Sequence, residues 1–316
     1  MLTPEVNEKL QASTFTFTDQ DGVAIFVYKW VPDEAPKAAV QISHGLGEHA
    51  GRYEWVAQQL TDAGYIVYAD DHRGHGKTAG TVEKLGLLGP GGWDGTVKEI
   101  KMLTDIIKKE NLGLPVFLIG HSWGSYLAQD YISQFGSEIK GVILSGTNGK
   151  PSFILRTFAP FTISREIKKI GADARSPTLD KLTFGAYNKP YEPAPTKFEW
   201  LSRDHAVVEK YVNDPFCGFI SQAGTASELA KGVVKIAKHE EQVKIPKGLP
   251  IYIMSGSEDP SNNRSKGARR LYKTYVSLKI KDVSIKVYEG ARHEIFNETN
   301  KEEVMKDAIT WLDQHL

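Results

Sequence analysis

The sequence predicts an α/β protein built on a mostly parallel, doubly wound sheet. An antiparallel hairpin stands at its start and a helical segment is inserted late. Three observations predict this. Short apolar runs alternate with helical patterns. A hairpin signature precedes the alternation, and the alternation breaks once, from about residue 148 to residue 240.

Residues 13–31, STFTFTDQDGVAIFVYKWV, alternate apolar and polar around Asp21-Gly22, a pair that accepts the positive φ values of a tight turn. The runs Ala39–Ser43, Ile66–Ala69, Val116–Ile119, Val142–Leu144, Ile251–Met254 and Val283–Val287 are short and mostly apolar. Strands covered on both faces read this way. Helical spacing appears at Tyr53–Ala63, Val97–Lys109, Trp123–Phe135, Ser265–Lys279 and Glu302–Leu316. The interval from about Asn148 to Lys244 holds helical patches, prolines and aromatics but no convincing buried strand. It is too long for an ordinary connection and reads as a mainly helical insertion. The expected organisation is therefore one core domain from 1–147 and 241–316, with 148–240 inserted. No internal repeat is visible.

Composition excludes several classes. The chain has 316 residues, 41% hydrophobic and 25% charged, with 39 basic and 39 acidic side chains. A net charge of zero leaves no electrostatic footprint for nucleic acid and no basic tract for an anionic membrane. No apolar stretch reaches the ~18 residues of a spanning helix. The opening MLTPEVNEKLQ has no apolar core of a secretory leader, and the single Cys217 has no partner for an internal disulfide. These features fit a cytoplasmic protein.

Chemistry concentrates around GHSWGS at 120–125. A serine hydroxyl is a weak nucleophile that needs an adjacent base and must stand clear of the sheet. A sharp strand-to-helix turn exposes it, and glycines two residues before and after remove the side chains that such a turn would crowd. Ser122 sits in that position. The helix beginning near Trp123 aims its N-terminal N–H groups at the same point. A plain tight turn has the same short pattern, so the rest of the chain must supply a base and an acid. Only His293 and His315 lie beyond the run Ile251–Met254, and His315 is penultimate in the last helix. His293 follows the last predicted strand in YEGARHE and is the expected base. The acid is expected after Ile251–Met254, in SGSEDP, where Asp259 and Glu258 are both candidates. Asp259 is preferred for its shorter arm and the turn fixed by Pro260. Oxyanion donors are expected from the backbone N–H of Trp123 and, in the glycine loop HGLGEH, of Leu46.

His44 and His49, and His72 and His75, read as hydrogen bonders that brace loops. No spacing guarantees a metal site, and no cofactor is expected. His121, adjacent to Ser122, is not the base. Arg73 and Lys77 read as solvated loop charges.

These pieces resemble the α/β-hydrolase fold and, within it, monoacylglycerol lipase/lysophospholipase-like serine hydrolases. The matching stretches are HGLGEHAGRY, DDHRGHGKTAG, GHSWGS, SGSEDP and YEGARHEIFNE, in order across the sheet domain. The resemblance implies Ser122 as nucleophile, Asp259 as acid, His293 as base, and Leu46 and Trp123 as oxyanion donors. It also implies that the insertion is a mobile helical cap, in which LSRDHAVVEKYVNDPFCGF is similar to bacterial members. Trp123 departs from the family pattern, which often has Met there, and its bulk is expected to crowd the acyl side. The implied reaction is hydrolysis of a lipid-like or small acyl ester. An aminopeptidase or amidase, with a cap acid such as Glu192, Glu199 or Asp204 near the substrate amine, and a thioesterase are alternatives on the same triad. A fold that binds without chemistry is a further class, disfavoured by the complete Ser122–Asp259–His293 set. Phe158 and Phe161, in the apolar stretch FILRTFAPFTI, are expected substrate contacts. That stretch also suits a peripheral membrane surface or packing onto the core.

Overall fold

The computed structural model describes residues 12–151 and 153–316. The opening MLTPEVNEKLQ lies outside the described residues. The strands are β1 (Ser13–Thr18), β2 (Ala24–Trp30), β3 (Ala38–Ser43), β4 (Tyr65–Asp70), β5 (Val116–His121), β6 (Gly141–Ser145), β7 (Ile251–Gly256) and β8 (Val283–Tyr288). They form one sheet in the order β1-β2-β4-β3-β5-β6-β7-β8. The β1–β2 and β2–β4 pairings are antiparallel and the rest are parallel.

Helices α1 (Glu54–Asp62), α2 (Gly76–Ala79), α3 (Gly92–Glu110) and α4 (Trp123–Phe135) lie in the connections between β3 and β6. Five more lie between β6 and β7: α5 (Phe153–Ile170), α6 (Pro177–Phe184), α7 (His205–Asn213), α8 (Ala223–Ile236) and α9 (His239–Gln242). Helices α10 (Lys266–Ser277) and α11 (Lys301–Gln314) complete the winding.

The central apolar runs do alternate, but both faces are apolar. In β5, Val116 and Leu118 face the layer containing Ile100, Leu127 and Leu271, whereas Phe117 and Ile119 face the layer containing Leu60, Val304 and Trp311. A strand with a helix layer on each side needs no polar face. The inserted helices are held differently. Many of their apolar residues form two small clusters, one around Ile163, Leu179 and Ala223, the other around Trp200, Leu201 and Tyr211, while Leu229, Val233 and Ile236 of α8 join the core layer of Ile100 and Leu127. Helix α8 packs on α3 and α4. A Cβ on Gly232 of α8 would lie 2.0 Å from the Trp93 ring, so glycine is what lets α8 approach.

Two expectations need correction. The hairpin turn is wider than the sequence suggests: Asp19 Oδ1 accepts from the N–H groups of Asp21 and Val23, and Gly22 takes φ +81°. Arg73 is not a solvated charge. It is buried and paired with Asp19, Asp21 and Glu99. Cβ atoms on Gly91 and Gly95 would lie 2.0 and 2.5 Å from its guanidinium, so the glycines of GPGGWDG make room for it. Burial lowers the Arg73 pKa, but the three acids outweigh it and raise it above the ordinary value. Lys77 is exposed, as expected.

Candidate active site

Strand β5 ends at His121 and α4 begins at Trp123, so Ser122 is a one-residue junction with φ 52° and ψ −118°. A non-glycine residue at positive φ is held there only by its surroundings. Those surroundings are tight. A Cβ on Gly120 would lie 2.6 Å from the Gly124 carbonyl oxygen, and one on Gly124 would lie 2.1 Å from that of Ser43. The Ser122 N–H donates to Ser145 O at 2.9 Å, and Ser125 Oγ donates to Ser122 O at 2.6 Å.

The carboxyl ends of the parallel strands bring the other groups to this point, as open α/β sheets do. Ser122 Oγ lies 2.8 Å from His293 Nε2, and His293 Nδ1 lies 3.0 Å from Asp259 Oδ2. If Nε2 accepts the serine hydroxyl, Nδ1 carries the ring proton and donates it toward Asp259. Asp259 and His293 are both buried. Glu258 turns instead toward Arg264, 3.2 Å away. Asp259 Oδ1 accepts from the Ser261 N–H at 2.9 Å and from Ser261 Oγ at 2.7 Å, while Oδ2 also accepts from Asn262 Nδ2 at 3.0 Å. Burial works against a charged His293, but the neighbouring carboxylates, Asp259 above all, outweigh it and raise its pKa above the usual histidine value. His121 has the opposite balance. Burial and the nearby His293 hold it down to about 4, and its Nδ1 lies 3.2 Å from Ser145 Oγ.

Leu46 and Gly45 line the same cavity as Ser122. A Cβ on Gly45 would stand 3.2 Å from Ser122 Cβ, and Gly47 takes φ +74°, so the HGLGEH backbone runs close over the serine. The Trp123 N–H opens α4, where the helix offers no acceptor of its own. The histidine pairs brace these loops. His44 Nδ1 donates to Gly45 O at 2.7 Å, and its Nε2 accepts from the His72 N–H at 3.0 Å. His72 bridges Asp70 and Ser43, and burial keeps His44 neutral. His49 Nε2 ties the core to the inserted helices through Asp214, 2.9 Å away. With Cys217 these two could place three ligand atoms on one ion. Burial pushes the Cys217 thiol up.

Two side-chain expectations are corrected. Trp123 does not line the cavity. Its ring stacks on His75 at 5.1 Å, lies edge-on to His72 at 5.4 Å, and is 2% exposed in the core. A side chain that follows the nucleophile on the helix's inner face is turned under the turn, not over the substrate. Phe158 and Phe161 are 60% and 70% exposed on α5 and do not line the cavity. Periodicity could not fix which face of α5 is turned inward, because apolar residues occur all round it.

The cavity measures about 890 Å³, and its walls include Phe184, Phe198, Trp200, Tyr211 and Phe219 from the inserted segment. The Trp200 ring lies 4.9 Å from that of His293. Of the cap acids considered for a peptidase, Glu192 lines the cavity. Glu199 bonds Thr196, and Asp204 caps α7. Sequence reasoning gave no role to a buried ionic group beside the histidine. Arg52 makes two bonds of 2.8 and 2.7 Å to Glu294 and also pairs with Glu48. Glu48 in turn accepts from the Gly45 N–H at 2.6 Å and from Tyr53 Oη at 2.9 Å. Burial raises the Glu294 pKa, but Arg52 outweighs it and holds it at about 2. The signal was present: Glu48 and Arg52 stand in HGLGEHAGRY, and Glu294 follows His293.

A serine on a strained strand–helix turn, bonded to a histidine from the last strand's loop, defines an α/β-hydrolase. Comparison with known proteins agrees: residues 34–300 match the family described as "Serine aminopeptidase, S33". The chain belongs to that family. It is 29% identical to the monoacylglycerol lipase of Mycolicibacterium smegmatis, over 96% of this chain and 98% of that one. It is also 29% identical to human monoglyceride lipase, over 93% and 88% of the two chains. Among solved structures, a thermostable carboxyl esterase from Bacillus coagulans in complex with glycerol superposes with a TM-score of 0.88 at 28% identity, covering 96% of this chain and 98% of that one.

Proposed function

We propose that this protein is a serine carboxylic-ester hydrolase of the monoacylglycerol lipase/lysophospholipase type, acting on a lipid-like or small acyl ester. The observation that carries the reading is the continuous chain Ser122 Oγ–His293 Nε2 at 2.8 Å and His293 Nδ1–Asp259 Oδ2 at 3.0 Å, at the wall of a cavity large enough for an acyl chain. Ser122 Oγ attacks the ester carbonyl carbon while its proton passes to His293 Nε2. The carbonyl oxygen becomes an oxyanion held by the N–H groups of Leu46 and Trp123. Collapse expels the alkoxide, which takes the proton from His293. A water then gives its proton to His293, attacks the acyl-enzyme and releases the acid, and the proton returns to Ser122.

Residues 148–240 serve as the cap that shapes the cavity, and 1–147 with 241–316 as the catalytic domain. Among the described residues no helix is long and apolar enough to cross a membrane. The exposed Phe158 and Phe161 suit peripheral contact of the cap with a lipid surface. Amide or thioester hydrolysis is the second reading, supported by the family description and by Glu192 on the cavity wall. A panel of chromogenic esters of graded acyl length, one thioester and one amino-acid anilide separates the readings. Ester turnover should exceed anilide turnover by orders of magnitude; the reverse ranking overturns the ester reading.

A further inference from the structure

Asp259 and His293 are bridged by a third side chain that the three-residue mechanism does not use. Ser261 Oγ lies 2.7 Å from Asp259 Oδ1 and 3.1 Å from His293 Nδ1. The Ser261 N–H donates to the same Oδ1 at 2.9 Å. With Nδ1 protonated, one arrangement satisfies every contact. The Ser261 hydroxyl donates to Asp259 and its lone pair accepts part of the Nδ1–H, which is shared with Asp259 Oδ2 at 3.0 Å. The chain makes this possible locally. Asp259 caps the short turn Pro260–Asn262, which returns Ser261 over its carboxylate.

We infer that Ser261 is a positioning residue of the catalytic centre, acting through both His293 and Asp259. It fixes the rotamer of the acid and the tautomer of the base, and it draws off part of the carboxylate charge that would otherwise stabilise the imidazolium. Two consequences follow. Losing the hydroxyl loosens the ring that must accept the Ser122 proton, so the chemical step slows while substrate binding stays. It also leaves more of the Asp259 charge facing His293, so His293 holds its proton to higher pH.

The inference rests on the proposed triad, and the test separates the two. Ser261→Ala, Ser261→Thr and Ser122→Ala are compared with wild type on one soluble short-chain ester across pH 5 to 9, each with its melting temperature. Ser261→Ala is expected to lower kcat by about tenfold with KM changed less than about twofold. The acid limb of kcat/KM should move up by about half a pH unit. Ser261→Thr, which keeps the hydroxyl, should recover most of kcat and the wild-type limb. If Ser261→Ala does not fold, Ser261→Cys, similar in shape but a weak donor, should show the same loss. An unchanged kcat and limb in Ser261→Ala or Ser261→Cys, or an equal loss in Ser261→Thr, overturns the inference. Activity surviving in Ser122→Ala overturns the triad instead.

Discussion

The loops at the sheet's carboxyl edge and the helices between β6 and β7 face each other across one cavity, yet they are built to different tolerances. Around Ser122 the backbone itself is the fitted part: no Cβ is possible at Gly120 or Gly124, and Ser122 sits at φ 52°. In the inserted helices side chains do most of the fitting, Gly232 against Trp93 being the exception. Two small aromatic and aliphatic clusters and the packing of α8 on α3 and α4 hold them, and large apolar groups such as Phe158, Phe161 and Leu182 remain exposed. The contrast teaches that the proposed chemistry rests on main-chain geometry, whereas the facing wall of the cavity is built mainly from side chains.

The largest effects should therefore come from the sheet edge. Asp259→Asn should lower kcat/KM by about 10⁴-fold, because an amide at that position favours the wrong tautomer of His293. Glu258→Gln, whose partner is the surface Arg264, should stay within about threefold. Steady-state kinetics of the two variants decide this, and the opposite ranking breaks the assignment of the acid.

Next in size, Trp123→Ala should destabilise the fold by about 3–5 kcal/mol, measured by urea unfolding, because its ring fills core space against His72 and His75. Its acyl-length profile should match wild type. A shifted profile would return Trp123 to the substrate pocket.

The pH profile sharpens the comparison further. His293 must be neutral to accept the Ser122 proton, and its pKa is raised. Turnover at limiting substrate should therefore rise with pH along a single limb whose midpoint lies above the ordinary histidine value of about 6.5. His121, held at about 4, titrates too low to contribute. A midpoint below the ordinary value contradicts the carboxylate environment described for His293.

The smallest effect is expected on the outer face of the inserted helices. Phe158→Ser with Phe161→Ser should leave hydrolysis of a soluble short ester within about twofold of wild type. A large change in that reaction would mean that α5 reaches the cavity.

The same contrast explains what was legible in the sequence. The convergence of Ser122, His293 and Asp259 was legible because each follows an apolar run, and in a parallel sheet the order of strands fixes which loops meet. Arg73 was misread because its partners come from the hairpin turn and α3, far along the chain, although the glycines of GPGGWDG signalled a bulky neighbour. Ser261 and Asn262 went unnoticed because a turn's hydrogen bonds depend on backbone angles that residue types do not fix. Within the inserted helices neither periodicity nor spacing says which aromatic faces the cavity. Phe184 and Trp200 were missed there, and Phe158 and Phe161 were chosen instead.

The most direct test of the central claim is intact-protein and peptide mass spectrometry after treatment with a fluorophosphonate, paired with ester turnover by Ser122→Ala. The account predicts one adduct per chain, on Ser122, no adduct in Ser122→Ala, and turnover reduced by about 10⁴–10⁶-fold in that variant at an unchanged melting temperature. An adduct on another residue, or a folded Ser122→Ala protein that keeps more than about a tenth of wild-type turnover, would contradict it.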